Sequence, residues 1–538
     1  MNEKLIAKFK NLARLCLFCP LFIPALPALP AGEQTIPSPR IFSGAWQNAG
    51  CPGDAFPGRK TANVKHFGAL GNGVENDQPA VAAAVSSLAG EPGILFFPAG
   101  IYLIGSCIDV PSGVILRGQS PQETTLLFNF NGHAIRFLGS ETGSWIPLSA
   151  SASMHRNTVT LSDGGIFSAG DYALIRQDDD KAWNIQDKWA GRSAGQVLKI
   201  TASAGNILTL ERPLRHDYPL SRNPEIRLID ANKNSGVENM KLERLPAGNN
   251  KSRNNVHTVL FSYAAEGRVR GVHGRKCFGS HVAIYNSTKI EVAGCFFDGA
   301  HDHDGGGSGY GVRVQSRSGE CLVENNIFRR LRHSMLLQAG ANGNVFGYNY
   351  SIETKSDSHP GWAGDISLHG NYPYANLFEG NIVEHIWIDN SHRGINGPYN
   401  TFFRNRAERC GFNMTDPDAD SQNVAGNELF RGGFTARLAA GSGYRFRGKG
   451  HFTCANVHTT MGVQPPGRSD LPDYSYYLAG NPAEKPEKPR WWTIPDELPV
   501  IGPPHGLSPA KNNPARARYL AGKDMAVFYP FPVQPGFP

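Results

Sequence analysis

Short strands of the form V-x-x-N-x-F recur along the second half of the chain. Their first residues are Val237, Val269, Val292, Val323, Phe346, Phe378, Phe402 and Val424. Successive strands begin 22 to 24 residues apart, or 31 to 32 residues apart where about eight residues are inserted. This period is too short for a propeller blade and lacks the Leu pattern of a leucine-rich repeat. The repeat therefore predicts a coil of stacked parallel strands over residues 231–460.

One polar residue recurs within this repeat. Asn326, Asn349, Asn381 and Asn427 share a phase, and equal phases on stacked strands lie about 4.8 Å apart. Asn tolerates left-handed backbone angles at a tight bend, and stacked amides can hydrogen-bond along a column. We expect these four residues to form one structural column.

The hydrophobic pattern changes on either side of the repeat. Residues 141–230 contain segments of alternating apolar and polar residues, which predict a small antiparallel β insertion. The Pro-rich tail 461–538 is predicted to run as a strap across the coil, with Trp491 and Trp492 buried as anchors. Residues 32–140 would hold an N-terminal cap and the first coils.

The first thirty residues have the features of an export signal. The basic residues in this segment are Lys4, Lys8, Lys10 and Arg14. The apolar run 15–23 that follows is short for a bilayer span and is bordered by prolines. A signal peptide over residues 1–31 predicts a secreted or periplasmic protein. We expect no membrane contact in the mature form, because no other segment approaches twenty apolar residues.

Composition supports a turn-rich β protein and limits the partners. The 538 residues include 61 Gly and 38 Pro, too many for a helical protein. Loss of the signal lowers the formal charge from +7 to +4, and no dense Lys/Arg run is interleaved with aromatics, so nucleic acid is not an expected partner. Seven cysteines remain without a CxxC spacing, which favours buried packing over metal ligation.

The segment before the repeat resembles a known superfamily. Residues 64–77 (VKHFGALGNGVEND), 80–85 (AVAAAV) and 93–102 (GILFFPAGIY) are similar to the opening of pectate-lyase-like β-helix proteins. That superfamily includes polygalacturonases, rhamnogalacturonases, exo-glucanases and phage tailspikes. The resemblance implies an all-β, right-handed parallel β-helix and leaves the chemistry open. Asp77 would cap a helix running to about Leu88 that closes the end of the coil.

Ionisable side chains collect at one offset, nine to eleven residues after the strand starts. The candidate catalytic residues at or beside this offset are His303, Arg332, His333, Asp389, Asp302, Asp304 and His392. The candidate substrate-binding residues are Lys355, His369, Arg393 and Trp183. Neighbouring coils would present an acid, a base and a cation about 4.8 Å apart, close enough to act on one sugar.

Asp302 and Asp304 allow two interpretations. On an extended strand they would face the same side at about 7 Å, a spacing near that of an inverting glycosidase pair. They could also be oxygen ligands of Ca²⁺. Because that site needs more carboxylates than the sequence places there, no metal or other cofactor is predicted.

Four functions remain open on this scaffold. A hydrolase of the polygalacturonase type would carry Asn-x-Asp and Gly-His-Gly, which this coil lacks. A lyase needs a base beside a uronate carboxylate and a cation to neutralise it, which Arg332, Lys355, His333 and His303 could supply. A C5-epimerase uses similar groups, and a non-catalytic polysaccharide-binding protein would tolerate their replacement. We favour an exported enzyme that cleaves a polysaccharide by β-elimination. The sugar and the oligomeric state stay open.

Overall fold

The coil and its insertion account for most of the described chain. The computed structural model describes residues 35–52, 60–246, 255–304, 306–357, 363–429, 444–458, 462–464, 471, 475–478 and 512–529. The chain forms a right-handed parallel β-helix with a small antiparallel insertion. The expected signal peptide and Trp491 and Trp492 lie outside the described residues. Within those ranges, no helix is long and apolar enough to cross a membrane.

The predicted repeat forms the first sheet of the coil. Its twelve parallel strands are Lys60–Asn63, Gly93–Phe97, Val114–Gly118, Gly236–Glu238, Arg268–Arg270, Glu291–Ala293, Leu322–Glu324, Val345–Gly347, Leu377–Glu379, Thr401–Phe403, Asn423–Ala425 and Phe452–Cys454. Val237 pairs with Val269, and the ladder continues through all eight predicted strand starts to Val424 without a slip. The repeat prediction is confirmed. The same register also includes Leu116 before it and Thr453 after it.

A 21-stranded sheet forms the other two faces of the coil. The second face contains Asn72–Asn76, Gly100–Ile104, Thr124–Phe128, Lys241–Arg244, His273–Cys277, Phe296–Ala300, Ile327–Arg329, Tyr350–Ile352, Glu428–Leu429 and Asn456–His458. The third face contains Ile108–Asp109, Ile135–Leu138, Val259–Ser262, Ser280–Tyr285, Tyr310–Gln315, His333–Leu337, Ile366–Leu368 and Tyr444–Arg445. The long strands Ile382–Ile388 and Arg406–Met414 pair with both faces and join them.

The remaining elements lie outside these faces. The insertion is a sheet of Ser140–Pro147, Thr158–Thr160, Tyr172–Arg176, Gly195–Ala204, Ile207–Leu210 and Glu225–Asp230. All its strand pairs are antiparallel, as the alternation predicts. Short strands are Asn232–Lys233, Ala264–Ala265 and Gly462–Gln464. The α-helices are Ser43–Trp46, Gln78–Ser86 and Pro514–Ala521, and the 3-10 helices are Ser38–Arg40, Val64–Phe67, Lys181–Trp183, Lys188–Ala190 and Leu220–Arg222.

The predicted capping helix is present, but Asp77 acts differently from expectation. Helix Gln78–Ser86 buries its Ala/Val face in the central core. The Asp77 carboxylate makes no side-chain cap to this helix. It accepts instead from the backbone N–H groups of Leu70, at 2.6 Å, and Gly71. Asp77 therefore fastens the preceding turn, because that turn presents two N–H donors to one buried carboxylate.

The Asn column is confirmed and is longer than predicted. Side-chain amides at 2.8–3.0 Å link, in order, Asn326, Asn349, Asn381, Asn405, Asn427 and Asn456. The left-handed residue at this bend is the one before each Asn, as at Asn325 and Tyr348. The Asn residues are thus used for their paired amides and not for their tolerance of positive φ.

Described parts of the tail contact the coil beside this column. Tyr476 donates its backbone N–H to Glu379 Oε2 at 2.9 Å, and Arg518 donates to Asn325 Oδ1 at 2.6 Å. Val527 donates its backbone N–H to the Gly294 carbonyl at 2.8 Å. The carboxyl of Glu379 is thereby enclosed between coil and tail.

Glu379 should make stability depend on pH. Burial raises the pKa of this carboxyl to about 7, although hydrogen bonds from Ser475, Tyr476 and Tyr348 oppose the rise. A carboxyl whose pKa is raised on folding contributes stability that is complete below the unfolded pKa of about 4.3 and is lost as pH rises to about 7. Thermal melts of Glu379→Gln should therefore match the parent at about pH 4 and exceed it at pH 8, by up to about 3 kcal/mol. A gain confined to about pH 4 would contradict this sign.

Candidate active site on the third face

The strands of the third face place one row of side chains on the outside of the coil. Residues such as Val312, Met335 and Ile366 belong to the central core, and successive side chains on a strand point to opposite sides. The outward neighbours share one register across four coils, and we call them the outer row: Arg313, Leu336, Ser367 and Trp387. All four are buried, so surrounding segments enclose them.

Three histidines and one aspartate meet beside the outer row. His369 and Asp389 each follow a strand of this face and continue its register. Asp389 Oδ2 lies 3.0 Å from His369 Nδ1 and 3.6 Å from His392 Nδ1. The ring centres of His333 and His369 are 5.6 Å apart, and those of His369 and His392 are 6.2 Å apart. We call these four residues the histidine cluster. It reaches solvent at His392, whose side chain is 43% exposed.

Asp389 is held as an anion. Burial by itself raises the pKa of this carboxyl, but hydrogen bonds from His369 and Ser391 and the charges of His369 and His392 outweigh it. The resulting pKa lies well below the ordinary value. Ser391 Oγ donates to Asp389 Oδ1 at 2.7 Å. The other oxygen, Asp389 Oδ2, therefore faces His369 Nδ1 as a charged acceptor. The geometry of this contact is not that of an aligned N–H···O hydrogen bond.

His333 is held as a neutral ring. Burial, followed by the charges of Arg332 and His369, lowers the pKa of this imidazole well below its ordinary value. Its Nδ1 lies 3.0 Å from the Gly364 carbonyl and also 3.3 Å from the Gly364 backbone N–H, so this nitrogen can donate to the first or accept from the second. Its Nε2 is buried and makes no hydrogen bond with the described residues.

Gly364 is itself held by a buried carboxyl. Asp365 accepts from Ser351 Oγ and Thr354 Oγ1 at 2.5 and 2.6 Å and from two backbone N–H groups. Burial, with the nearby charge of Glu384, raises the pKa of Asp365 to about 6. This network keeps the turn that carries the Gly364 carbonyl in place against His333.

Three further predicted residues of the coil, Arg332, His303 and Lys355, are not part of the histidine cluster. Arg332 is half-buried and acts electrostatically on the histidine cluster. His303 is turned toward Asp357, 3.4 Å away, and its Nε2 lies 2.9 Å from the Arg330 carbonyl. Lys355 Nζ lies 2.9 Å from the same Asp357. Burial lowers the pKa of His303. His303 and Lys355 thus share Asp357 as a partner, and their predicted contacts with a sugar stay predictions.

Asp302 and Asp304 do not form the expected pair across an extended strand. The segment is not a strand, and Asp302 Oδ1 accepts the backbone N–H of Asp304 at 2.8 Å. Asp side chains often bond the backbone two residues on and so bend the chain. Within the described ranges, no three His, Cys, Asp or Glu residues are arranged to hold a metal ion, so the calcium alternative gains no support.

Trp183 and Arg393 fasten the insertion to the coil. Trp183 is 9% exposed and stacks on Tyr372, with ring centres 3.7 Å apart and planes 22° apart. Arg393 Nη1 lies 2.7 Å from Asp187 Oδ2. One face of Trp183 is covered by Tyr372, and its predicted contact with substrate stays a prediction. These contacts hold the insertion against the coil at Arg393, the residue after His392.

The sequence contains an alternating pattern that identifies the outer row. Each strand of this region has the pattern apolar, outward, apolar, polar. The four examples are Val312-Arg-Val-Gln315, Met335-Leu-Leu-Gln338, Ile366-Ser-Leu-His369 and Ile386-Trp-Ile-Asp389. Period-two alternation places the second residue of each outside the core, so Arg313, Ser367 and Trp387 could have been identified.

The fold is a parallel β-helix, and part of the sequence is similar to the pectate-lyase-like superfamily. The model of the family "Rhamnogalacturonase A/epimerase, pectate lyase-like" matches residues 61–158. The tailspike gp61 of Pseudomonas phage phi297 aligns with a TM-score of 0.52 and 14% identity over 69% of each chain. The tailspike gp49 of Pseudomonas phage LKA1 aligns at 0.53 and 15% over 69% of this chain and 64% of that one. At such identities the likeness concerns the fold alone.

One curated protein matches over a short segment. The "Non-secreted LysM effector LysM19" of Penicillium expansum is 36% identical over 63 residues. The match covers 12% of this chain and 5% of that protein. This chain therefore spans a small fraction of the length of that relative.

Proposed function

We propose that the protein is an exported enzyme, secreted or periplasmic, that cleaves a uronic-acid-containing polysaccharide by β-elimination. The observation that carries the proposal is the pairing of His369 with the buried anion Asp389. Beside it stands the neutral ring of His333, whose Nε2 makes no hydrogen bond with the described residues. This set can remove a proton, hold a sugar hydroxyl and bear positive charge in one place.

The reaction follows from the placement of these groups. The anion Asp389, 3.0 Å from His369 Nδ1, favours the tautomer with the proton on Nδ1, so that Nε2 removes the proton on the carbon next to the uronate carboxylate. The electron pair of that C–H bond forms a C=C bond while the neighbouring carbon–oxygen bond of the chain breaks. His369 returns its proton to the departing oxygen. Arg332 stabilises the negative charge that grows on the carboxylate in the transition state.

The electrostatics of Asp389 favour elimination over hydrolysis. A glycosidase needs a protonated carboxyl to donate to the glycosidic oxygen, and the lowered pKa of Asp389 keeps it ionised. Asp302, the other candidate carboxylate, accepts the N–H of Asp304 within its own turn. Hydrolysis on the same scaffold is the second candidate, and it would require a carboxyl pair other than the expected one. We predict no cofactor for either reaction.

A panel of uronic and neutral polysaccharides tests the proposal. We expect new reducing ends on a uronic polymer, together with the ultraviolet absorbance of the unsaturated sugar that elimination creates. Reducing ends without that absorbance would support the hydrolase. A change in sugar configuration without new ends would support an epimerase, and binding without any reaction would support a non-catalytic protein.

A further inference from the structure

Trp189 is an exposed tryptophan that the proposed chemistry does not use. It lies in the 3-10 helix Lys188–Ala190 of the insertion and is 47% exposed. Within the described ranges, no aromatic ring or guanidinium stacks on it. The other described tryptophans are buried or covered by a neighbouring arginine, namely Trp46, Trp183, Trp387 and Trp145. Trp189 thus differs from them in presenting a large apolar ring to solvent.

The indole of Trp189 is held by the carboxylate of Asp187. Asp187 Oδ2 accepts from Arg393 Nη1 at 2.7 Å and from Asn371 Nδ2 at 3.1 Å. Burial by itself raises the pKa of this carboxyl, but hydrogen bonds from Asn371, Arg393 and Trp189 and the charge of Arg393 lower it below the ordinary value. The bond from Trp189 comes from its indole N–H, the one donor of that side chain. Asp187 therefore ties the exposed ring to two residues of the coil.

The coil residues in these contacts lie next to the histidine cluster. Arg393 directly follows His392, and Asn371 is the second residue after His369. Two residues of extended chain span about 7 Å. The exposed indole of Trp189 therefore lies beside the groups to which we assign the reaction.

The backbone before Trp189 is also fixed against the coil. Ile395 donates its backbone N–H to the Trp183 carbonyl oxygen at 3.0 Å. A Cβ atom at Gly394 would lie 2.6 Å from the carbonyl oxygens of Trp183 and Asn184, so this close approach requires the glycine. Because the side chain and the preceding backbone are both held, little conformational entropy is lost when a ligand packs on the ring.

We infer that Trp189 is a platform on which one sugar ring of the polysaccharide stacks, beside the sugar that the histidine cluster acts on. The inference rests on the proposed function and adds a second sugar-binding position to that site. The face of an indole is negative and attracts the weakly positive C–H groups on one side of a sugar ring. Since this contact uses no charge on the sugar, the platform accepts acidic and neutral sugars alike.

Oxidation of Trp189 by hydroxyl radicals tests the contact directly. The full-length chain carrying His369→Gln, which lacks the proposed base, is oxidised alone and with hexamers of galacturonate, mannuronate or guluronate. Each hexamer is also used in its carboxyl-reduced form. Mass spectrometry of the peptide that contains Trp189 should show oxidation slowed by about threefold or more with at least one acidic hexamer and with its reduced form, because the stacked face leaves solvent. Oxidation of the exposed Phe67 should not change.

Three variants in the same background show how much the ring contributes. Trp189→Ala should weaken the calorimetric affinity for that hexamer about tenfold, because the stacking surface is lost. Trp189→Phe keeps a ring and loses the bond to Asp187, so it should weaken binding by about threefold or less. Phe67→Ala is the control and should change nothing. Its coil, which begins with Lys60–Asn63, lies seven coils before the one that begins with Val345–Gly347 and contains His369, or about 34 Å away.

The inference is overturned if no hexamer slows the oxidation of Trp189, or if Trp189→Ala leaves every affinity unchanged. The proposed function can fail separately. Protection of Trp189 in a wild-type protein that forms no unsaturated ends would remove the lyase and keep the platform. Unsaturated ends from a polymer whose hexamer neither protects Trp189 nor loses affinity in Trp189→Ala would do the reverse.

Discussion

Replacing His369 by Gln should lower kcat on the preferred polymer by about a thousandfold, within the range that a general base contributes. His369 is the imidazole that contacts the buried anion Asp389 and lies between His333 and His392. Gln has a similar length and retains polarity, so the cluster should stay packed while the proton acceptor is lost. Initial rates of unsaturated product at saturating polymer measure the effect.

A matched variant separates chemistry from folding. His66→Gln changes an exposed histidine in the 3-10 helix Val64–Phe67 and should leave both kcat and melting temperature unchanged. If His369→Gln lowers kcat less than tenfold with an unchanged melting temperature, the base lies elsewhere, and His333 becomes the first alternative.

Replacing Asp389 by Asn should lower kcat by a comparable factor with a different cause. The amide oxygen can keep the hydrogen bond from Ser391 Oγ, so the amide NH₂ would face His369 Nδ1. Such a donor favours the tautomer that carries its proton on Nε2, which cannot accept another, as in serine proteases where the equivalent change costs about 10⁴ in rate. Asp230→Asn, at an exposed position, is the control.

The pH dependence of this variant follows from the lowered pKa of Asp389. A depressed folded-state pKa means that the carboxylate stabilises the protein above its unfolded pKa of about 3.9 and that this stabilisation is lost as pH falls through the folded value. In the parent protein, titration of Asp389 should therefore contribute no step to the dependence of kcat on pH between about pH 5 and pH 8. A step in this range that Asp389→Asn removes and that His392→Gln leaves in place would contradict a permanently ionised Asp389.

The repeat could be predicted because its information is local. Each strand start, such as Val292 or Phe378, is set by a few neighbouring residues, and stacking one coil on the next repeats the same environment. The Asn column follows for the same reason. Of the two members not predicted, Asn405 follows the strand start Phe402 at the same distance as Asn381 follows Phe378, so the pattern contains it. Asn456 follows Thr453, where the apolar strand start of the pattern is absent.

The site was predictable only in part, because counting from strand starts fails across insertions. Asp389 and His392 fall where the offset places them, and they are in contact. His369 follows a loop of variable length, so its offset gave no clear position, although its Nδ1 lies 3.0 Å from Asp389 Oδ2, against 3.6 Å for His392 Nδ1. Asp187 reaches Arg393 from more than 200 residues away, and no local pattern contains such a contact.

The rate of cleavage of a uronic polymer deuterated at the carbon next to the carboxylate tests the central claim most directly. If His369 removes that proton in the slow step, the deuterated polymer should be cleaved more slowly than the ordinary one, and its new ends should be unsaturated. Equal rates for the two polymers, with ends that lack the double bond, would show that the bond is broken without proton removal and would contradict the lyase.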